Sequence, residues 1–403
     1  MKRVAVTGLG TISAAGHDAA TTWEAVRAGR TGIGPLSIER QDILNTKVAA
    51  QVRGFDPERY FDDRRLPTLD RFSQFAVVSA REAVAAAKLE PGSAALADAG
   101  VVVGVGVGGM TTTDDSFWRI YGQGIKRVYP LTVPKLMSNA AASQVSMDLG
   151  ARGMTFAIAS ACASSTHAIG VAAQFIRTGV ARMMLAGGSE ACITTGTVAG
   201  WEALRVLAPD QCRPFSRNRL GLVLGEGAAM LVLEEWDHAV ARGAPIIAEI
   251  LGFGANADAG DLTSPNPEGA AGAMRLALAD AGLSPDAIGY INAHGTGTLM
   301  NDRVESGAVR AMFGDAAPPP ISSSKAVLGH TLGAAGAIEA VVTIMALQAQ
   351  TLPPTACCDE PDDSLGIDMV PNQARPAQFS AALSNSFAFG GLNAVLAIGA
   401  ATT

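Results

Sequence analysis

The chain has 403 residues, of which 48% are hydrophobic and only 17% charged, and its formal net charge is −7. It lacks the basic excess that a nucleic-acid-binding surface uses. Its length exceeds what one hydrophobic core usually organises, so two domains or a duplicated core are expected, with a large interior and a buried subunit interface.

No uninterrupted apolar run of about 18 residues is evident, so no spanning helix is expected. The first residues read directly as a strand and lack a signal-peptide h-region. The five cysteines, Cys162, Cys192, Cys212, Cys357 and Cys358, form no CxxC pair. Reduced thiols and a cytoplasmic location are the expectation.

In chain order, residues 2–6 read as a short strand followed by Gly8-Leu9-Gly10-Thr11-Ile12-Ser13. That run looks like a dinucleotide loop, but Ser13 stands where the third glycine belongs. Residues 21–27 predict a helix. So do residues 71–89, where Phe72, Phe75, Val78, Ala83 and Ala87 fall near one face. Residues 99–107 form a β-branched run, as in a strand buried on both faces. Residues 110–133 read as a polar-aromatic excursion at the surface or a dimer edge, and 134–149 as a helix. A strand is expected before Cys162 (154–161) and a helix after it (168–176). A strand at 182–186 is closed by Gly187-Gly188-Ser189-Glu190. A loop (211–226), a strand (228–235) and a helix (237–242) complete the first half.

The pattern then restarts. Strands are expected at 246–251, 288–293, 321–324, 381–386 and 395–398, and helices at 269–281, 301–313 and 333–348. The shared order predicts an α/β fold of two similar units, residues 1–243 and 244–403, stacked as layers of helix and sheet.

Cys162 falls at a strand-to-helix turn, where unpaired N–H groups and the helix dipole favour a thiolate. It reads equally well as a small buried cysteine. Of five histidines, two lie in Gly/Thr loops at strand ends: His294 in Asn292-Ala293-His294-Gly295-Thr296-Gly297-Thr298, and His330 in Lys325-Ala326-Val327-Leu328-Gly329-His330-Thr331. His167 is expected to bond locally, and His17 and His238 to lie at the surface. No HxxxH, HxH or CxxC spacing supports a metal site. One cysteine can accept an acyl group as a thioester. Two neutral imidazoles can hold a carbonyl oxygen as it becomes an enolate. Together they suit decarboxylation of a malonyl thioester followed by carbon–carbon bond formation. A cysteine hydrolase needs one histidine and an Asn or Asp.

Four stretches, 159–165, 292–298, 323–330 and 385–393, resemble the β-ketoacyl-[acyl-carrier-protein] synthases, closest to the synthase II type. The wording around Asn301, Asp302 and Glu305 and in 386–396 is similar to nodulation-type, aryl polyene and type II polyketide ketosynthases. The resemblance implies a thiolase-like fold, layered helix–sheet–helix–sheet–helix. It implies an acyl carrier protein as partner, and a homodimer or a heterodimer with a chain-length-factor subunit. No cofactor is implied beyond the phosphopantetheine that the substrates carry.

Residue by residue, it makes Cys162 the acyl acceptor, and His294 and His330 the pair that polarises the malonyl carbonyl. Lys325 would hold the His330 region, with Glu305 and Glu339 as ionic support. Phe389 would gate the site and share an oxyanion hole with Cys162. Thr296, Thr298, Phe387 and Gly390 would bind substrate, and Val107 would set acyl-pocket depth. Arg64, Arg65 and Arg205 are the candidate carrier contacts.

Three rival readings are weaker. A non-catalytic chain-length-factor-like subunit usually lacks the cysteine. A thiolase needs a second cysteine where Phe389-Gly390-Gly391 stands. A type III ketosynthase has Asn in place of the second histidine. The implied pathway is a specialised polyene- or polyketide-like one, or fatty acid synthesis.

Overall fold

The computed structural model describes residues 1–314 and 316–401. Ten strands form one mixed sheet: β1 (Val4–Ser13), β2 (Gly100–Gly104), β3 (Thr155–Ile158), β4 (Met183–Glu190), β5 (Gly227–Glu235), β6 (Ala248–Ala257), β7 (Tyr290–Asn292), β8 (Ile321–Ser322), β9 (Ala381–Ala388) and β10 (Leu392–Ala400). Their spatial order is β8-β7-β9-β10-β6-β1-β5-β4-β2-β3. Outward from the β1/β6 seam, the first half runs β1-β5-β4-β2-β3 and the second runs β6-β10-β9-β7-β8. The two orders are identical once five is added to each number. The directions repeat as well: antiparallel for the two pairs nearest the seam, parallel for the outer two.

Alternation within the strands builds the layers. On β5, Ala229, Leu231 and Leu233 face a central core, while Ala228, Met230 and Val232 face an outer one. On β10, Leu396 and Ile398 face the same central core, and Val395 and Ala397 a second outer one. Strands buried on both faces read as continuous apolar runs for this reason. The central core holds helices α3 (Ser164–Arg177) and α6 (Ala335–Ala349). The outer cores are closed by α1 (Arg71–Ala86) with α2 (Ala140–Leu149), and by α4 (Pro267–Ala281) with α5 (Leu299–Phe313). This is the expected α/β layering of helix, sheet, helix, sheet and helix.

Several expectations need correction. Strand β1 does not stop at residue 6 but runs through Gly8 and Gly10 to Ser13, with α1 pressed against it there. A Cβ at either would lie 2.0 Å from a carbonyl oxygen of α1, Ala83 or Ser79. Strand β4 continues through Gly187, Gly188 and Ser189 to Glu190. The 110–133 excursion contains the helix Met110–Phe117, and it exposes Phe117, Trp118, Tyr121 and Val133. Helix α3 begins at Ser164, since its polar first turn hid it from an apolar-period reading. The stretch Leu332–Ala349 is long and apolar enough to cross a bilayer, with a mean hydropathy of 1.6 over 18 residues. It is 83% buried inside the fold, as a core helix would be.

Candidate active site

The site forms where the ends of β3, β7 and β9 meet the starts of α3 and α6. Between β3 and α3 the chain turns sharply, and Ala161, just before Cys162, takes φ +50°. Such a conformation costs a non-glycine residue about 1–3 kcal/mol and persists only where its surroundings hold it. The Ser164 hydroxyl does so: it accepts from the Ser160 N–H at 2.8 Å and donates to the Ala161 carbonyl at 2.6 Å. Cys162 is 6% exposed.

The two histidines arrive from the other half. The His330 Nε2 lies 3.1 Å from the Cys162 sulfur. Its Nδ1 accepts the Leu332 N–H at 3.3 Å. Its backbone is paired to the 223–225 segment on both sides, through Val223 O and the Gly225 N–H. For His294, the Lys325 ammonium stands 3.4 Å from Nδ1. Glu305 pins its loop by accepting the backbone N–H groups of His294 (2.8 Å) and Gly295 (2.7 Å). The Asn385 amide in turn donates to Glu305 at 3.2 Å.

These contacts assign the tautomers. An ammonium and a backbone N–H can only donate, so each Nδ1 is an acceptor and each Nε2 carries the hydrogen. Burial, with the Lys325 charge beside them, holds both imidazoles well below the ordinary histidine range. Between about pH 8 and about pH 6, where a free imidazole titrates, the ring shifts of His294 and His330 are expected to stay constant in an NMR titration. A midpoint near 6.5 for either ring would contradict the buried, neutral pair.

Cys162 departs from the thiolate expected from its turn. Burial pushes its thiol up to about 12, although Lys325 pulls the other way. In the closed pocket, desolvation outweighs the helix terminus, and the resting nucleophile is a neutral thiol. Lys325 also differs from expectation. Its side chain reaches His294 rather than the His330 region, and it forms a fully buried ion pair with Glu339. Glu305 supports the site through backbone N–H groups instead of an ion pair.

The cavity over the sulfur is lined by Cys162, His294, His330, Thr296, Thr298 and Phe387, with Trp201, Leu262 and Met300 towards its rim. Thr296 and Thr298 are joined through their hydroxyls at 2.9 Å. Phe389 also lines it and stacks on Trp201, with ring centroids 5.9 Å apart. Gly391, not Gly390, faces the cavity; the Gly390 N–H is bound to Leu262 O at 2.7 Å. Val107 is 48% exposed on this chain and does not reach the cavity.

Among the carrier candidates, Arg64 and Arg205 are exposed, whereas Arg65 is half-buried and ion-paired with Asp148. His167 bonds Ser160 Oγ (2.9 Å) and Ala163 O (3.1 Å), as its position suggested. The spacing argument against a metal did not foresee that the fold brings the donor atoms of Cys162, His294 and His330 within 4.8 Å of one another. The Lys325 ammonium 3.4 Å from one of these rings disfavours a divalent cation. Trp201, Asn385 and Glu190 escaped the sequence reading. Only Glu190 left a signal, as a lone acid closing an apolar strand.

Fold and site together define an acyltransferase of the thiolase-like class, with one cysteine and two histidines. Residues 1–239 match the β-ketoacyl synthase N-terminal domain, and residues 247–359 match the β-ketoacyl synthase C-terminal domain. The chain is 48% identical over 397 residues to nodulation protein E of Rhizobium sp. (strain N33), covering 98% of each. It is 41% identical over 403 residues to 3-oxoacyl-[acyl-carrier-protein] synthase 2 of Staphylococcus aureus (strain COL), covering 98% of this chain and 97% of that one. Among solved structures, the ishigamide ketosynthase/chain length factor superposes with a TM-score of 0.95 at 34% identity over the whole of both chains. The chain belongs to the β-ketoacyl synthase family.

Proposed function

We propose that the chain condenses an acyl group held on Cys162 with malonyl-acyl carrier protein, extending the acyl chain by two carbons. The observation that carries this reading is the grouping of the Cys162 sulfur with both imidazoles, His330 Nε2 at 3.1 Å from it and the donor atoms of all three residues within 4.8 Å, each ring having its Nδ1 tied to a donor.

In the first half-reaction the Cys162 sulfur attacks the acyl thioester carbonyl. Its proton ends on the departing pantetheine sulfur. The backbone N–H groups of Cys162 and Phe389 would hold the oxyanion. In the second, malonyl-carrier protein enters, and the bond between its α-carbon and carboxylate breaks, releasing CO₂. The enolate oxygen accepts from both Nε2–H groups. The α-carbon then attacks the Cys162 thioester, the carbon–carbon bond forms, and the sulfur leaves as a thiolate that regains a proton from solvent. Phe389 acts as the gate, and the substrates supply the only prosthetic group.

Thr296 and Thr298 would bind the pantetheine arm. The double change to Val is expected to raise KM for malonyl-carrier protein about tenfold, matching one lost hydrogen bond to a buried polar group, with kcat moving less. An unchanged KM in steady-state assays would remove them from that role.

The halves 1–243 and 244–403, supported by the repeated strand order, would contribute the cysteine and the histidines respectively. We place the enzyme in the cytoplasm, in a specialised or fatty acid pathway, as a homodimer or paired with a chain-length-factor subunit. The inert-subunit reading is disfavoured by the complete cysteine–histidine set. Reconstitution with acyl- and malonyl-carrier protein tests the proposal: 3-oxoacyl-carrier protein and CO₂ in equal amounts support it, and CO₂ with no elongated product contradicts it.

A further inference from the structure

Glu190 is a buried carboxylate that takes no part in the steps above. It closes β4, and its two oxygens collect backbone N–H groups from two separate loops. Oε2 accepts from Gly106 at 2.6 Å and from Gly333 at 3.1 Å, and Oε1 accepts from Val107 at 3.3 Å. Both loops need glycine to reach it. A Cβ at Gly106 would lie 2.3 Å from Oε2, and one at Gly333 would lie 2.7 Å from Oε2 and 2.1 Å from the Gly106 nitrogen.

Gly333 follows Leu332, which adopts φ +46°, a conformation that a branched side chain avoids. The Leu332 N–H is the group that donates to His330 Nδ1. Something must hold that strained residue in place, and the carboxylate does so by accepting the next N–H, that of Gly333.

From this geometry we infer that Glu190 is a positioning residue: by holding Gly333 it fixes the Leu332 turn, and through it the tautomer and orientation of His330. The inference rests on the condensation reading for its kinetic consequence, but not for its structural one. Because Gly106 and Val107 share the same carboxylate, the turn after β2 and the His330 loop are held as one unit. Glu190 makes no hydrogen bond to Cys162; its charge reaches the thiol only through space and adds to the push that burial gives it, so the His330 tautomer is the readout that isolates the positioning role.

The test uses two variants of the full-length protein. Glu190→Ala removes both ties. Glu190→Gln keeps one oxygen that can still accept from Gly106 and Gly333, and it guards against a variant that fails to fold. With selectively ¹⁵N-labelled histidine, Glu190→Ala is expected to turn His330 from a single Nε2–H form into a tautomer mixture, while Glu190→Gln retains the single form. Decarboxylation of malonyl-carrier protein is expected to fall about ten- to a hundredfold in Glu190→Ala through kcat, the scale of a misplaced catalytic group, with KM little changed and Glu190→Gln near wild type. An unmixed His330 tautomer in folded Glu190→Ala would overturn the inference. So would a Glu190→Gln variant as impaired as Glu190→Ala. If the wild-type protein decarboxylates nothing, the condensation reading fails, and the tautomer measurement still decides the role of Glu190.

Discussion

Cys162→Ala is expected to lower condensation by at least about 10⁴-fold, the scale seen when a covalent nucleophile is removed, because among the described residues no other thiol lines the cavity. Cys192 and Cys212 are fully buried, and neither lines the cavity. The loss should not extend to every step. Cys162→Gln fills the space of the sulfur and leaves both Nε2–H groups in place, so it should still release CO₂ from malonyl-carrier protein. The two variants separate acyl transfer, which needs the sulfur, from enolate stabilisation, which needs the imidazoles. Condensation persisting in Cys162→Ala would show that the acyl group is carried elsewhere. Loss of CO₂ release in a folded Cys162→Gln would show that the histidines do not act alone.

The second large effect concerns Lys325. Lys325 and Glu339 are 1% and 2% exposed at their side chains, so each is the other's main compensation for lost water. Burial pushes Glu339 up to about 7 even with the ammonium beside it. Lys325→Met leaves that carboxyl without its partner and should cost about 3–5 kcal/mol of stability, the usual penalty for breaking a buried pair. Lys325→Met combined with Glu339→Leu replaces both charges by apolar groups and should recover most of that loss in denaturant melts.

Activity should not return with stability. In the double variant nothing donates to His294 Nδ1, and the ring is no longer confined to the Nε2–H form. Decarboxylation is expected to stay about 10²–10³-fold down, the cost of losing one oxyanion donor. A stable double variant with full activity would reduce Lys325 to a structural role.

The sequence carried the fold well where patterns are local. The apolar run in β2 and the alanine-rich α6 could be read directly, and the repeated strand–helix order foretold two like halves. It ended β1 too early because Gly8 and Gly10 are dictated by a helix some seventy residues away, which no local rule can see. It missed the start of α3 because Ser164, Ser165 and Thr166 are polar yet fully buried, with their hydroxyls spent on hydrogen bonds inside the fold.

The site was legible as three residues in three motifs, and their meeting at one sulfur is what the fold adds. Two charge assignments went astray for a shared reason. The thiolate expected at Cys162 and the ionic role expected of Glu305 both presumed solvent-like surroundings. In a dry pocket the thiol keeps its proton, and the carboxylate spends its oxygens on backbone N–H groups. The place of Val107 in an acyl pocket rests on resemblance alone, and on this single chain the residue is exposed.

The central claim is that Cys162 holds the acyl chain. Mass spectrometry of the protein after incubation with acyl-carrier protein, without malonyl donor, tests it most directly. The account predicts an added acyl mass on the peptide containing Cys162, released by hydroxylamine as a thioester, discharged by malonyl-carrier protein and absent from Cys162→Ala. An unmodified Cys162 under conditions that support condensation, or an acyl group on another residue, would contradict it.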